Sequence, residues 1–153
     1  MTTQQTTQET IVEHIRRDHR KTDREILELE MRLRGRGDED LGPVFAPMKQ
    51  ELLGHMAAEE KLLYPPLEKE MREQIADARK EHDTIRRQLE ELAAGGRMEE
   101  SEWRRRLVML KQEIQHHVTD EESEILPAAR RLFDEDRLRD LGSRFERMEK
   151  EYT

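Results

Sequence analysis

The sequence predicts an all-α protein: an antiparallel up-down-up-down four-helix bundle with a short C-terminal helix. Three observations carry this expectation. Apolar residues recur at helical spacing in four long segments, and no segment sustains the two-residue alternation of a strand. Loops of short to moderate length separate the segments, which sets consecutive helices side by side. The composition agrees: 42% of the 153 residues are charged and 4% aromatic, so strand formers are scarce and exposed helix faces well supplied.

The elements follow in order. Residues 1–9, rich in Thr and Gln, read as a disordered lead. The first helix carries Ile11, Ile15, Thr22, Ile26, Leu29 and Leu33 and stops at "GRGDEDLGP", where Gly35, Gly37, Gly42 and Pro43 punctuate a loop. The second carries Phe45, Met48, Leu52, Met56, Leu62 and Leu63 and ends or kinks at Pro65-Pro66, because proline lacks the helical N–H. The third carries Ile75, Ala78, Ile85, Leu89 and Leu92 and stops at "AAGG". The fourth carries Trp103, Leu107, Leu110, Ile114, Val118 and Ile125, with a kink or end near Pro127. A weaker pattern of Leu138, Leu141, Phe145 and Met148 gives the C-terminal helix. The bundle is thus expected over residues 10–133 and a helical tail over 134–153.

Composition removes several function classes. The chain has no cysteine, which excludes disulfides, thiol catalysis and Cys-based zinc or iron–sulfur sites. The net charge of −8 argues against nucleic acid as a partner, and the Arg clusters alternate with acids as a solvated face. No apolar run approaches the roughly 20 residues that cross a bilayer. With no signal-peptide pattern at the start, a cytoplasmic home is the default expectation.

The apolar stripes are interrupted by polar residues at matching places. His19 lies on the first stripe, His55 and Glu59 on the second, His82 on the third, and His117 and Glu121 on the fourth. "HMAAEEKLLYP", from His55, and "HVTDEESEILP", from His117, repeat one phrase 62 residues apart. His19 and His82 are each preceded by an acid, as "DH" and "EH". A His and a Glu at i and i+4 share one helix face, so each phrase aims both groups into the core. An unpaired buried carboxylate costs several kcal/mol, and a bound metal ion compensates for it directly. An ion pair with a neighbouring arginine is the plain alternative for Glu59 and Glu121. Four imidazoles and two carboxylates exceed a tetrahedral zinc site and do not suit an all-oxygen calcium or magnesium cage. They suit a dinuclear first-row site, iron first and manganese next. The ferritin-like Glu-x-x-His signature is not met, since the pair Glu113–His116 lies off the stripe. His14 and His116 also lie off the stripes and are expected at the surface, and Met48 and Met56 are expected as core filler.

One His, then His-x-x-x-Glu, then one His, then His-x-x-x-Glu resembles the bacterial-type hemerythrin-like family, the HHE cation-binding domain. The resemblance runs from about Thr10 to Phe133 and extends to the Pro that closes each phrase. It implies that His19 and His55 hold one iron and His82 and His117 the other. Glu59 and Glu121 would bridge the pair, with an oxo or hydroxo group between the metals. It also implies a small ligand: O2, peroxide or NO.

There is one departure. Oxygen-carrying members have a further histidine four residues after the third-helix His, and here that residue is Arg86. Water or another side chain would fill the position. Tyr64, Glu60 and Glu122 are the candidates, as extra ligands or as outer partners of a ligand histidine. A freed position favours peroxide or redox chemistry, in a catalase-like or peroxidase-like enzyme. A non-enzymatic O2 or NO binder or sensor is the alternative. A metal-free helical interaction protein is the third class.

Overall fold

In the computed structural model the described residues are 9–35, 41–94 and 98–153. They are helical almost throughout, with no strand among them. The helices are α1 (Ile11–Gly35), α2 (Gly42–Ala58), α3 (Tyr64–Leu67), α4 (Arg72–Ala94), α5 (Glu100–Asp120), α6 (Leu126–Leu132) and α7 (Glu135–Lys150). All but Glu9 of the expected lead, most of the glycine loop after α1 and part of "AAGG" lie outside the described residues.

Local chemistry sets the helix starts. Thr10 and Glu13 form a reciprocal capping box on α1, each side chain accepting from the other's backbone N–H at 3.1 and 3.0 Å. Pro43 opens α2, where a missing N–H costs nothing. Asp134 caps α7 by accepting from the Arg137 N–H at 2.8 Å.

Two helix junctions differ from the expected simple kink. A π-helical turn joins α2 to α3 over Glu59–Leu63, and another joins α5 to α6 over Glu121–Ile125. In each, a backbone N–H reaches back five residues, from Tyr64 to the Glu59 carbonyl and from Leu126 to that of Glu121. The following proline can neither donate to the helical ladder nor sit against the carbonyl four residues back, and a widened turn accommodates both defects. Both π turns begin at a stripe glutamate.

Cross-helix contacts fix how the elements pair. Between α1 and α5, Glu30 meets Lys111 at 3.1 Å and the Leu33 carbonyl accepts from Arg104 at 2.7 Å. Between α4 and α5, Glu91 meets Arg106 at 3.3 Å and Glu81 meets His117 at 2.7 Å. Between α2 and α4, Lys49 meets Glu90 at 3.0 Å, while Glu60 at the other end meets Arg86 at 2.8 Å. The apolar residues gather in two clusters. One contains Ile26, Leu29, Phe45, Met48, Leu89 and Leu110, the other Ile15, Leu63, Leu67, Ile75, Ile125 and Phe145. On α1 and α4 the stripe histidine falls between the two clusters, His19 between Ile15 and Ile26 and His82 between Ala78 and Ile85. Met48 and Met56 are buried in the first, as expected of core filler.

The C-terminal helix contributes more than its weak pattern suggests. It packs against α1 and α2 and buries Leu138, Leu141 and Phe145 completely or nearly so. Gly142 permits this approach, because a Cβ there would collide with the Glu9 carbonyl. The packing also corrects the expectation for His14, which is 2% exposed rather than at the surface. α7 covers a second face of α1, and His14 lies beneath it against the Phe145 ring, 5.1 Å between centroids. His116 is largely exposed, as expected.

On the α1–α2 seam, burial and a hydrogen bond to Glu51 push the Glu25 carboxyl up to about 8. The folded state therefore holds a proton that the unfolded chain releases near its ordinary value of 4.5. The stability this gives is present at acidic pH and is lost as pH rises through about 8. Glu25→Gln should melt with the parent protein at pH 5 and above it at pH 9, which thermal scans at the two values would check.

Candidate metal centre

Four helices and the two π turns bring the stripe residues to one point. Glu59 and Glu121 are fully buried, as is His82, and His19, His55 and His117 are nearly so. The donor atoms of His19, His55, Glu59 and Glu121 all lie within 4.8 Å of one another, and so do those of Glu59, His82 and His117. Each carboxylate spans both halves. Glu59 sets Oε2 at 3.1 Å from His55 Nε2 and Oε1 at 3.0 Å from His82 Nε2. Glu121 sets Oε1 at 3.0 Å from His19 Nε2 and Oε2 at 3.6 Å from His117 Nε2. His82 and His117 bring their Nε2 atoms within 3.1 Å of each other.

Chemically, these groups could hold a metal cation. His55 Nε2 and Glu59 Oε2 are fully enclosed, and although 3.1 Å apart they are not aligned for a hydrogen bond to each other or to any other group. Buried polar atoms are rarely left so without a ligand to satisfy them. Among the described residues no arginine pairs with Glu59 or Glu121, so the plain ion-pair alternative does not hold. The donor set of imidazole nitrogens and carboxylate oxygens suits first-row transition metals.

A family model for the hemerythrin HHE cation-binding domain matches residues 10–129. The chain belongs to the hemerythrin HHE family. No curated protein and no solved structure matches it. The domain is a cation-binding one, the buried His/Glu clusters could hold a metal ion, and the family resemblance drawn from the two repeated phrases is thus established. α7 lies beyond the residues matched to the HHE domain, yet it covers the His55 side of the centre.

Each of the four histidines at the centre has an outer carboxylate on its Nδ1. Glu122 Oε2 lies at 2.6 Å from His19, Asp18 Oδ2 at 2.9 Å from His55, Glu60 Oε2 at 2.7 Å from His82 and Glu81 Oε1 at 2.7 Å from His117. A carboxylate only accepts, so Nδ1 carries a proton, and Nε2 is the atom that would offer a lone pair inward once its own proton is displaced. Glu60 and Glu122 thus bond the outer nitrogens of His82 and His19 and belong to neither inner cluster of donor atoms. Asp18 and Glu81 were not singled out from the sequence, although the "DH" and "EH" doublets contain them. The wiring is crosswise: Asp18 precedes His19 but holds His55, and Glu81 precedes His82 but holds His117. Such outer partners typically contribute 10–100-fold to metal affinity, so Asp18→Asn and Glu60→Gln should each weaken metal retention by roughly that factor. Competition against a chelator of known affinity measures it.

Tyr64 is the candidate that reaches the interior. Its hydroxyl lies at 3.0 Å from Glu121 Oε2, 3.2 Å from Glu59 Oε1 and 3.1 Å from His82 Nε2. Arg86, at the position of the carriers' additional histidine, turns outward to Glu60 at 2.8 Å. The charges explain the poise of the cluster. Burial pushes Tyr64 well above its usual value, and the Glu121 and Glu59 charges push it further. Burial works against protonation of His117, but Glu121, Glu59 and Glu81 outweigh it and raise the group to about 10. Burial also raises Glu59, yet His55 and the other imidazoles hold it well below the carboxylate range. Protons thus occupy the place of a cation, and metal binding would displace them.

Proposed function

We propose that the centre holds two iron ions and binds or turns over a small oxygen species, with peroxide or redox chemistry favoured over reversible O2 carriage. His19 and His55 would hold one ion and His82 and His117 the other. The single observation behind the paired arrangement is that Glu59 and Glu121 each direct one oxygen to either half. When bound, two irons supply exchangeable electrons and a place for a small ligand. The chain supplies the rest. The carboxylates hold the halves together, the outer acids orient the imidazoles, and Leu52, Met56, Ile85 and Ile114 wall off bulk water.

Tyr64 takes the place left by Arg86 in this reading, as an additional oxygen ligand or hydrogen-bond donor on the His82 side. Tyr64→Phe should keep the metal content and change the visible spectrum of the oxidised protein, most strongly if a tyrosinate band is lost. An unchanged spectrum would remove Tyr64 from the metal environment.

The cross-helix contacts meet rising numbers on one helix with falling numbers on the next, which supports the antiparallel up-down-up-down topology. We take the metal-binding unit as residues 10–133. We place the protein in the cytoplasm, in keeping with the absence of any helix among the described residues long and apolar enough to cross a membrane.

Peroxide turnover tests the function. The iron-loaded protein should consume hydrogen peroxide over many turnovers per chain, with oxygen evolution or with oxidation of an added reductant. A reversible spectral change with O2 or NO and no turnover would assign it instead as a binder or sensor. Activity only with manganese would reassign the metal.

A further inference from the structure

Two openings meet at the centre. The inner one is small, about 20 Å³, and lies among the four HHE histidines with an apolar wall that includes Leu52, Met56, Ile85, Ile114 and Val118. The outer one is a solvent-facing cleft of about 400 Å³ between α1, α2 and α7, reaching His14, Glu146, Glu149 and Lys150. Four residues line both: Asp18, Thr22, Leu52 and His55. Asp18 and His55 are tied to each other by their hydrogen bond. Leu52 and Thr22, each less than a tenth exposed, are the remaining partition between the two spaces.

We propose that small ligands enter through the α1–α2–α7 cleft, and that Leu52 and Thr22 form the inner gate that sets which ligands pass. This rests on the two-iron reading and adds the route to it. The gate is apolar on the α2 side and short on the α1 side. The mouth of the cleft is partly built by α7, which lies outside the residues matched to the HHE domain. The competing route is the α1–α5 seam, where Val118 is only half-buried.

The test is the association rate of nitric oxide with the reduced, iron-loaded full chain, followed by stopped-flow absorbance. Leu52→Ala should accelerate association severalfold, and Leu52→Phe should slow it by roughly tenfold, with release slowed in step so that the equilibrium affinity stays nearly constant. Thr22→Ile narrows the same gate from α1 and should also slow entry, which keeps the test open if a Leu52 variant folds poorly. Val118→Ala probes the competing seam and should change the rate far less than Leu52→Ala. Unaltered rates in iron-loaded Leu52 and Thr22 variants, or acceleration by Val118→Ala alone, would overturn the route and leave the metal centre standing. A parent protein that takes up no iron would overturn the two-iron reading, and the route with it.

Discussion

Glu59→Gln combined with Glu121→Gln is expected to give a helical protein that retains no metal. Each carboxylate lays one oxygen toward either half of the centre, so their joint loss removes the shared ligands and two negative charges at once. Four imidazoles then remain, in two pairs with nothing to join them. Glutamine keeps the volume, and its neutral amide is far cheaper to bury than a carboxylate. The apo fold should therefore survive, with far-ultraviolet dichroism unchanged. What should vanish is the stabilisation by metal. A ligand at 1,000 times its Kd stabilises the folded state by about 4 kcal/mol, so ferrous iron should raise the parent's melting temperature and not the variant's. Equal stabilisation of both proteins would mean that the metal sits elsewhere.

Phe145→Ala should be the most damaging single change outside the centre. The ring is fully buried and packs against His14 and His55 at centroid distances of 5.1 and 5.3 Å. Truncating a buried phenylalanine typically costs about 3–5 kcal/mol, against a total stability of roughly 5–15 kcal/mol. For a chain of this length that corresponds to a melting temperature lower by about 6–20 °C. The loss should extend to the metal, because α7 also brings Glu149 to within 2.6 Å of His14 Nε2 and 3.6 Å of His55 Nδ1. Calorimetry together with metal analysis checks both consequences. A shift below about 2 °C would show that α7 is dispensable to the bundle.

These two variants mark what the sequence does and does not disclose. Glu59 and Glu121 are legible because a carboxylate on an apolar stripe contradicts its surroundings, and the same contradiction occurs twice at the same place in the pattern. The family resemblance follows from the same phrases. The outer acids are less legible. Asp and Glu make up 36 of the 153 residues, so one more acid beside a histidine carries little information. Their partners also lie on other helices: only the packed bundle shows that Asp18 serves His55 and Glu122 serves His19. The π turns are invisible to hydropathy, although a proline six residues after each stripe glutamate is a usable sign. His14 is not legible from the apolar stripe because a single stripe marks one buried face, whereas α1 has two, one toward the bundle and one under α7. The same limitation understates α7, whose contacts come from Phe145, Gly142 and Glu149 rather than from a long apolar stripe.

The most direct test of the centre is metal content per chain, measured by elemental analysis on protein reconstituted anaerobically with ferrous iron and then oxidised in air, with an absorption spectrum of the same sample. Close to two irons per chain and near-ultraviolet bands of a bridged ferric pair are expected. A chain that holds no metal after this treatment would leave six buried polar side chains without a purpose and would contradict a metal centre in this bundle.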